Sequence, residues 1–549
     1  MKTDVWTKQS TVKVLKDKSY GGDFRHSLPL CVKMAKGEYE SVQLVLTAKE
    51  EVKSYVVAVS DLKSEDGNVL SAKEIAVYHV KYIWVEEREG FEKGFFPDAL
   101  LPFEKAIEYR ENKIAAGENQ SVWLTVKTPT DLPAGEYAGT VTVIVDGEME
   151  SVPFSVTVWD YTVPQETHVK TDLVIGSDGL MLGEGDYTPQ MYRKYVERVI
   201  DFRCGPHRII QDLNPPYVEG ADFVRALREL TAEGKPYLST IMLPVYRRYD
   251  GVNEELYFRY LDALADACIE DNINYFERAA VYCGFIDEPH LNGTWDLTNA
   301  TCKRIEELKE IAAEKFVARH GESALRDEVE KGIRALGNFV TSQFDERLTE
   351  VVYWCPGWGH LHTADARAKY IQDKYECWWY GCGGVTEKYP SYAIGQPTVL
   401  DCRLMNWMQF DYGVKGSLYW ESVQYYKWVW CQDSHVNLKY QIDCYEVAGR
   451  CANNEGDGFL FYPGKPYGIY GPVDSIRLHA IRDGIEDYES LWLLEKLYNE
   501  AGKSAKELLR PMYDKLYEGV VLKTSGDGFE IERERLANLI IDAQKGIFY

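Results

Sequence analysis

The pattern of apolar residues changes near Pro164, and this change limits the folds that the chain can adopt. Before it, short segments such as 121–126 and 139–145 alternate apolar and polar side chains, and turn residues separate them. Such alternation is typical of antiparallel strands that bury one face. Residues 1–164 are therefore predicted to form an antiparallel β-sandwich. Residues 94–102 break the alternation and are predicted to be a long loop that packs against a second domain.

Short apolar segments alternate with amphipathic helical segments between residues 165 and 495. This rhythm is typical of repeated β-α units with parallel strands. The eight candidate strands lie at residues 171–175, 208–211, 237–243, 279–286, 338–341, 351–354, 376–380 and 416–420. They predict a (β/α)8 TIM-like barrel, with helices between several of the strands at residues 189–202, 254–269 and 297–316. Residues 496–549 are predicted to be a C-terminal helical extension.

Two adjacent acids, Asp287 and Glu288, follow the fourth candidate strand. Chemistry in α/β folds gathers at the carboxyl ends of such strands. Neighbouring side chains of an extended segment point to opposite sides, so both carboxyls can serve one site only where the strand has ended. Pro289 favours that break because it restricts the backbone of the residue before it. The pair is a candidate catalytic site, and the alternative is an acidic turn that caps the next helix.

Aromatic and polar side chains lie together at the ends of the last three candidate strands. They are Tyr353, Trp354, Trp378, Trp379, Tyr380, Trp420 and Glu421. Taken singly, each ring is more often part of a core. A cleft with rings on its walls and acids on its floor suits the cleavage of a glycosidic bond. One acid must protonate the leaving oxygen there, while another group stabilises an oxocarbenium-like transition state.

Composition argues against some classes of function. The 549-residue chain carries 62 basic and 87 acidic residues, and its formal charge of −25 argues against binding to nucleic acid. The first residues lack the apolar stretch of a signal peptide, and no run of about 18 apolar residues could span a membrane. The 12 scattered cysteines favour buried thiols in a reducing compartment. We expect a cytoplasmic protein, although a secreted chain trimmed of its signal peptide would look identical.

No metal or cofactor site is expected. Cys377 and Cys382 are too widely spaced and too isolated to indicate zinc, and the 10 histidines show no ligand spacing. Acidic residues near Arg477 and Arg482 stand at helical spacing, which predicts a salt-bridged packing surface rather than a binding site.

Several segments resemble glycoside hydrolase family 123 and the related domain of unknown function that carries the same barrel. They are residues 285–289 (Phe-Ile-Asp-Glu-Pro), 378–380, 403–407, 416–420, 475–478 and 482–488, together with residues 37–41 of the sandwich. The string Arg-Asp-Gly-Ile-Glu-Asp-Tyr at 482–488 is the most specific of them for the fold. Members with an assigned activity are β-N-acetylgalactosaminidases.

The resemblance implies a glycoside hydrolase that removes a terminal 2-acetamido sugar by a retaining, substrate-assisted mechanism. The acetamido oxygen would attack the anomeric carbon, Asp287 would orient the acetamido N–H, and Glu288 would protonate the leaving oxygen and then activate water. Seven further side chains would contact the substrate by position. They are Trp378, Trp379 and Trp420 as walls of the acetamido pocket, Tyr380 or Tyr353 as donor to its carbonyl oxygen, and Arg403 or Asn406 as partners of sugar hydroxyls.

Two other functions stay open. The first is an ordinary glycosidase that pairs Glu288 with Glu421, for which a carboxyl separation of about 5 Å would indicate retention and about 6.5 to 9.5 Å inversion. The second is a carbohydrate-binding protein that has lost turnover. In each case the partner is a glycan, an oligosaccharide or a glycolipid headgroup. The sequence decides neither galacto against gluco preference nor whether the chain forms a homo-oligomer.

Overall fold

The structure is a computed structural model that describes residues 2–21, 29–86, 92–211, 218–243, 246–247, 251–282, 286–382, 389–431, 436–447, 450–451 and 454–549. Its N-terminal part contains helix α1 (Phe103–Glu108) and strands β1 (Thr3–Gln9), β2 (Leu30–Lys36), β3 (Tyr39–Ala48), β4 (Tyr55–Val59), β5 (Leu62–Lys63), β6 (Val69–Leu70), β7 (Ile75–Val85), β8 (Gly94–Pro102), β9 (Asn119–Lys127), β10 (Gly135–Val145) and β11 (Glu148–Thr162).

Two sheets face each other in this N-terminal part. One has the order β1-β3-β9-β7-β8 and is antiparallel, and the other has the order β2-β11-β10-β5-β6, in which β2 and β11 are parallel. Apolar side chains of both sheets, such as Leu44, Tyr137 and Phe154, form one buried cluster. The prediction of an N-terminal β part with a large antiparallel sheet is confirmed.

Residues 94–102 form strand β8, so the predicted loop was wrong. The strand pairs with β7 over most of its length, with a register shift between Lys81 and Tyr82. All but two of its side chains are buried, because the strand is covered on both faces. A strand buried on both faces shows no alternation in its sequence, which is why the pattern indicated a loop.

In the second part of the chain, the described residues contain nine α-helices between strands β12 and β26. Three further helices and a β-hairpin follow β26. Its strands are β12 (Lys170–Leu173), β13 (Ile241–Met242), β14 (Tyr246–Arg247), β15 (Gly251–Val252), β16 (Ala279–Tyr282), β17 (Asn338–Phe339), β18 (Tyr353–Trp354), β19 (Glu376–Gly381), β20 (Gly416–Tyr419), β21 (Tyr426–Cys431), β22 (Val436–Gln441), β23 (Arg450–Cys451), β24 (Asn454–Glu455), β25 (Tyr462–Pro463), β26 (Pro472–Ser475), β27 (Tyr517–Glu518) and β28 (Val521–Leu522). Its helices are α2 (Ser177–Gly183), α3 (Pro189–Asp201), α4 (Gly220–Leu230), α5 (Glu254–Asp271), α6 (Pro289–Asn292), α7 (Trp295–Arg319), α8 (Ala324–Arg334), α9 (Ala364–Arg367), α10 (Leu400–Tyr412), α11 (Ile476–Glu500), α12 (Lys506–Leu516) and α13 (Gly526–Gln544).

Local sequence signals account for where several of these helices begin. Thr188 precedes α3, and its hydroxyl accepts from the N–H of Met191, while Pro189 occupies the first helical position. Ser475 caps α11 in the same way. Among the described residues, no helix is both long and apolar enough to cross a membrane.

Seven short parallel strands follow the predicted β-α rhythm. The ladders join β13, β16 and β17 in one sheet, and β18, β19, β20 and β12 in another. A bridge between Val340 and Trp354 links the two sheets, and another pairs Leu173 with Pro206. The α/β class is confirmed. Within the described residues no ladder joins residue 206 to β13, and residues 208–211 are not a strand. A closed eight-stranded barrel therefore stays a prediction.

The two parts of the molecule share a sheet and a long helix. Strand β26 pairs with β8, so the N-terminal sheet continues as β8-β26-β25. Helix α11 begins directly after β26, and it runs through the predicted domain boundary at residue 495. The predicted boundaries at residues 164 and 495 thus do not separate independent units. The local pattern of apolar residues does not indicate that a later strand pairs with an earlier sheet, so the pairing of β26 with β8 could not be predicted from it.

Candidate active site

The acidic pair lies between β16 and α6. Residues 283–285, the predicted end of the strand, lie outside the described residues. Glu288 has φ 46° and ψ 56°, the left-handed region that non-glycine residues seldom adopt. Its N–H donates to the carbonyl oxygen of Thr341 at 3.0 Å, which holds this turn against the end of the next strand. Because the backbone at Glu288 is not extended, the two carboxyl groups need not point to opposite sides as they would in a strand. The Glu288 side chain makes no capping hydrogen bond to α6.

Glu288 is half-buried and has a specific hydroxyl partner. The Tyr380 hydroxyl donates to its Oε1 atom at 2.5 Å. Burial raises the pKa of Tyr380, and the hydrogen bond to Glu288 raises it further, so the phenol stays a neutral donor. A charge-assisted hydrogen bond of this kind orients a carboxylate.

Asp287 is exposed, and two hydroxyls from neighbouring strands donate to its Oδ1 atom. One is the Oγ1 hydroxyl of Thr341, and the other is the Tyr282 hydroxyl at 3.1 Å. Thr341 is buried, and Tyr282 ends β16. The amide of Asn292 donates to the carbonyl oxygen of Asp287 at 2.8 Å, which fixes the backbone as well. The carboxylate of Asp287 is thus oriented by two hydroxyls, and its backbone is held by Asn292.

An open cavity of about 420 Å³ lies against Glu288. Its lining includes Tyr380, the rings of His290 and His360, and Trp358. This volume falls in the usual range of small-molecule sites. Trp358 can pack there only because residue 381 is glycine, since a Cβ atom at Gly381 would lie 1.8 Å from the indole ring.

A buried carboxylate and a histidine lie on the first two β-α units. Asp172 on β12 is fully buried. Both of its carboxylate oxygens lie 3.0 Å from Nδ1 of His207, which follows the residue that bridges to Leu173. The ring of His207 stands edge-on to the ring of Tyr282, with centroids 6.1 Å apart.

Two family models match consecutive parts of this chain. The glycoside hydrolase 123 N-terminal domain matches residues 30–145, and the glycoside hydrolase 123 catalytic domain matches residues 242–494. The chain belongs to glycoside hydrolase family 123. It is therefore a glycosidase, and the resemblance noted from its sequence segments is confirmed.

Solved structures agree with this family at the level of the fold. A family 123 glycoside hydrolase from Clostridium perfringens, analysed for the details of glycolipid glycan hydrolysis, matches with a TM-score of 0.66. The match covers 99% of each chain at 15% identity, so it shows the fold alone. A β-glucuronidase from Parabacteroides merdae matches at 11% identity over 70% of this chain and 47% of its own, with a TM-score of 0.23, too low to support an argument. No curated protein matches the chain by sequence.

Three of the tryptophans expected to line the site of this family 123 enzyme are core residues. Trp354, Trp378 and Trp379 are each at most 1% exposed. Trp354 and Trp379 pack into the main core. Trp378 belongs to a smaller cluster at the parallel strands, called the inner cluster, which also contains Met242, Ala280, Phe339, Cys355 and Leu418. Trp378 also lies over Gly416, where a Cβ atom would come within 2.4 Å of the ring. The expectation that Trp378 and Trp379 wall a pocket is corrected, because neither has a free face.

Tyr353 and Tyr380, the two expected donors, differ in their surroundings. Tyr353 packs on the inner cluster, and its hydroxyl donates to the carbonyl oxygen of Ala335 at 3.3 Å. Only Tyr380 lies both in the cavity lining and against the acidic pair.

Arg403 and Asn406 do not lie at the site. Both are on α10, and both are almost fully buried. The Arg403 guanidinium binds the carboxylates of Glu40 and Asp487 at 2.9 and 2.7 Å. Asn406 packs against Gly484, whose Cβ position would lie 2.6 Å from its amide nitrogen. The expectation that they bind sugar hydroxyls is corrected, because helical spacing turns both toward α11.

The two expected residues after β20 face different ways. Trp420 is half-buried on the inner cluster, and its Nε1–H donates to Asp457 at 3.0 Å. Glu421 is 6% exposed and accepts from the N–H groups of Gly176, Ser422 and Val423 at 2.9 to 3.1 Å. Burial raises the pKa of Glu421 to about 7. These contacts give Glu421 a structural role and do not support its pairing with Glu288.

Several residues at the site were not found from the sequence. They are Asp172, His207, Tyr282, His290, Thr341, Trp358 and His360. The rule that strand ends carry function applies to Asp172, Tyr282 and Thr341. No spacing pattern joins them to the acidic pair, because the contacts form between separate β-α units.

Proposed function

We propose that this family 123 glycosidase removes a terminal β-linked 2-acetamido sugar, N-acetylgalactosamine, with retention of configuration and with the acetamido group as nucleophile. One observation carries the proposal: two consecutive carboxyls share one turn but have different partners. Asp287 is oriented by Thr341 and Tyr282, and Glu288 is oriented by Tyr380 beside a cavity. Adjacent acids with separate partners suit two different tasks on one substrate.

Glu288 is the general acid and base in this mechanism. It donates a proton to the leaving oxygen as the glycosidic bond breaks, and Tyr380 then stabilises the carboxylate that results. The carboxylate next removes a proton from the water that attacks the anomeric carbon. The same residue thus serves both half-reactions.

Asp287 acts on the N-acyl arm of the sugar. Its carboxylate accepts a hydrogen bond from the acetamido N–H, which increases the electron density on the carbonyl oxygen that attacks the anomeric carbon. The oxazolinium ion that forms carries a positive charge beside this carboxylate, so the interaction is stronger in the transition state than in the ground state. Two inversions, first by the acetamido oxygen and then by water, give net retention.

The position of the site suits a terminal sugar on a larger glycan. The cavity beside Glu288 and the hydroxyl donors around Asp287 lie at the ends of strands that a closed (β/α)8 barrel would bring to one rim. A terminal sugar on an oligosaccharide or glycolipid headgroup could reach such a rim. The work on glycolipid glycan hydrolysis by the Clostridium perfringens enzyme supports this substrate class.

The acidic pair is tested with nitrophenyl β-N-acetylgalactosaminide. We expect Asp287→Asn and Glu288→Gln each to lower kcat by roughly 100- to 10,000-fold, the usual loss when a positioned acid or base is removed. Asp287→Asn should lose the same factor on substrates with good and poor leaving groups. Glu288→Gln should lose less on those with good leaving groups, which need less protonation. NMR of the first-formed product should show the β-anomer.

Glu346→Gln is the matched control, because Glu346 belongs to a second Asp-Glu dipeptide after β17 and is exposed. Its rate should stay within about twofold of the wild type. Equal cleavage of the aryl β-galactoside, which lacks the acetamido group, would contradict assistance by the substrate. If Asp287→Asn and Glu288→Gln both kept the wild-type rate, the assignment of these two residues as the catalytic site would be wrong.

A further inference from the structure

A chain of contacts runs from the first β-α units to the acidic pair. It begins at Asp172, whose carboxylate is fully buried and binds Nδ1 of His207 through both oxygens at 3.0 Å. A buried carboxylate is costly unless it is paired, so this contact constrains the His207 ring strongly. Donation by Nδ1–H to Asp172 also sets which ring nitrogen carries the proton.

The His207 ring constrains Tyr282 in turn. The two rings meet at an interplanar angle of 74°, a favourable edge-to-face arrangement. The Tyr282 hydroxyl then lies 3.1 Å from Oδ1 of Asp287 and 3.3 Å from the hydroxyl of Thr341. His207 therefore contacts the ring of the residue whose hydroxyl reaches the carboxylate.

A buried thiol lies near both carboxylates. Burial raises the pKa of Cys355 well above its usual value, and Cys377, Asp172 and Asp287 add to the rise. Cys355 belongs to the inner cluster, so Asp172 and Asp287 flank the same interior.

We propose that Asp172 and His207 form a positioning pair that holds Tyr282, and through it Asp287, in the orientation that the N-acyl arm of the substrate requires. The proposal rests on the function proposed above for Asp287. Asp287 is exposed on a turn, so its own packing does not fix its direction. A catalytic group must be held to within about 0.5 Å of its productive place, and second-layer contacts supply that precision.

The test is a double-mutant cycle on the aryl β-N-acetylgalactosaminide. His207→Asn keeps a donor near the place of Nδ1 but removes the ring edge that contacts Tyr282, and Tyr282→Phe removes only the hydroxyl. We expect each to lower kcat by roughly 10- to 100-fold with KM within about threefold. The double variant should be no slower than Tyr282→Phe alone, because both act through one contact. Asp172→Asn is a second variant in case His207→Asn folds poorly. It should likewise lower kcat and leave KM within about threefold.

His320→Asn is the matched control. His320 pairs with Asp266 at 2.8 Å in a second His-Asp contact, between α5 and the end of α7. Its kcat and KM should equal those of the wild type.

Two results would overturn the proposal. In the first, the losses of His207→Asn and Tyr282→Phe multiply in the double variant, so His207 acts independently of Tyr282. In the second, a crystal structure of His207→Asn keeps the Tyr282 hydroxyl within hydrogen-bond distance of Asp287. That structure decides the positioning claim without any assay. A wild type that does not cleave the substrate would instead overturn the proposed function.

Discussion

Tyr380 joins the cavity to the acidic pair, and its position shows how one residue acquires a role. Strand β19 alternates its side chains, so Tyr380 and Trp378 point inward while Trp379 points outward. Tyr380 comes later in the strand than Trp378, and it can therefore reach Glu288 from the end of the strand. Among the rings predicted for the site, it is the one that contacts a carboxyl of the pair.

Tyr380→Phe should lower kcat/KM by roughly 10- to 100-fold. A hydrogen bond to a charged group contributes about 1.5 to 3 kcal/mol, and each 1.4 kcal/mol corresponds to tenfold in rate. The measurement is steady-state cleavage of the aryl β-N-acetylgalactosaminide. Tyr353→Phe is the control, because its hydroxyl donates to a backbone carbonyl and the same ring stays in place. A larger loss in Tyr353→Phe than in Tyr380→Phe would contradict this assignment.

Strand ends locate a site from sequence, but the side on which each residue lies decides its role. Seven of the eight parallel strands predicted from the sequence are present among the described residues, and Asp287 and Glu288 follow the fourth predicted strand. The same rule also selects Trp379 and Glu421, which lie on the outer side of their strands. Neighbouring residues of a strand point to opposite faces of the sheet. Which face is the inner one depends on how the strands pair and how the sheet curves.

Glu421 connects the end of β20 to Gly176 after β12, and its burial predicts a pH-dependent stability. Burial raises its pKa from 4.5 to about 7, so the folded state holds the proton more tightly than the unfolded state. The free energy of unfolding that Glu421 contributes therefore falls as the pH rises from about 4.5 to about 7. Glu421→Gln does not titrate, so the stability of the wild type relative to this variant should fall by about 3 kcal/mol across that interval.

Denaturant unfolding of the wild type and Glu421→Gln at pH 4, 6 and 8 measures this difference. Other acidic groups are present in both proteins, so their contributions to the pH dependence cancel in the difference between the two free energies of unfolding. Glu346→Gln is the control for the substitution itself, because the Glu346 side chain is exposed. A constant offset for Glu421→Gln at every pH would show that the carboxyl does not titrate in this range.

At the scale of the whole molecule, the segments most typical of the family meet at the junction of the two parts. Arg403 binds Glu40 and Asp487, and Arg533 binds Glu38 and Asp487, all of them buried. These residues come from β3 and the turn before it, α10, α11 and α13. The acids of α11 that predicted a salt-bridged packing surface bind cations of other elements, since Glu486 pairs with Arg203 at 3.2 Å and Asp487 with Arg403 at 2.7 Å. Arg477 binds Asp98 of β8 at 2.7 Å instead.

Arg403→Met should lower the free energy of unfolding by about 3 to 5 kcal/mol, because it removes one of the two buried cations that the buried carboxylates of Glu40 and Asp487 share, and leaves only Arg533 to both. Arg510→Met is the control. Arg510 is about half exposed and binds the exposed Asp514 and the mostly buried Asp411, which keeps the Tyr517 hydroxyl as a partner, so its loss should cost at most about 1 kcal/mol.

Denaturant unfolding followed by two spectroscopic probes makes the comparison. The wild type should unfold in one transition, because β26 and α11 tie the two parts together. Two separated transitions, or equal losses in Arg403→Met and Arg510→Met, would contradict a shared network.

The sequence by itself determined the two-part α/β plan, the place of the acidic pair and the family, because periodicity and short motifs are local properties of the chain. Only the tertiary structure decided that 94–102 is a strand, that Arg403 joins the domains, and that Tyr282, Thr341 and Tyr380 orient the acids. Each of these depends on contacts between residues far apart in the chain. The role of a side chain depends on its neighbours, and these are determined only when separate helices and strands pack together.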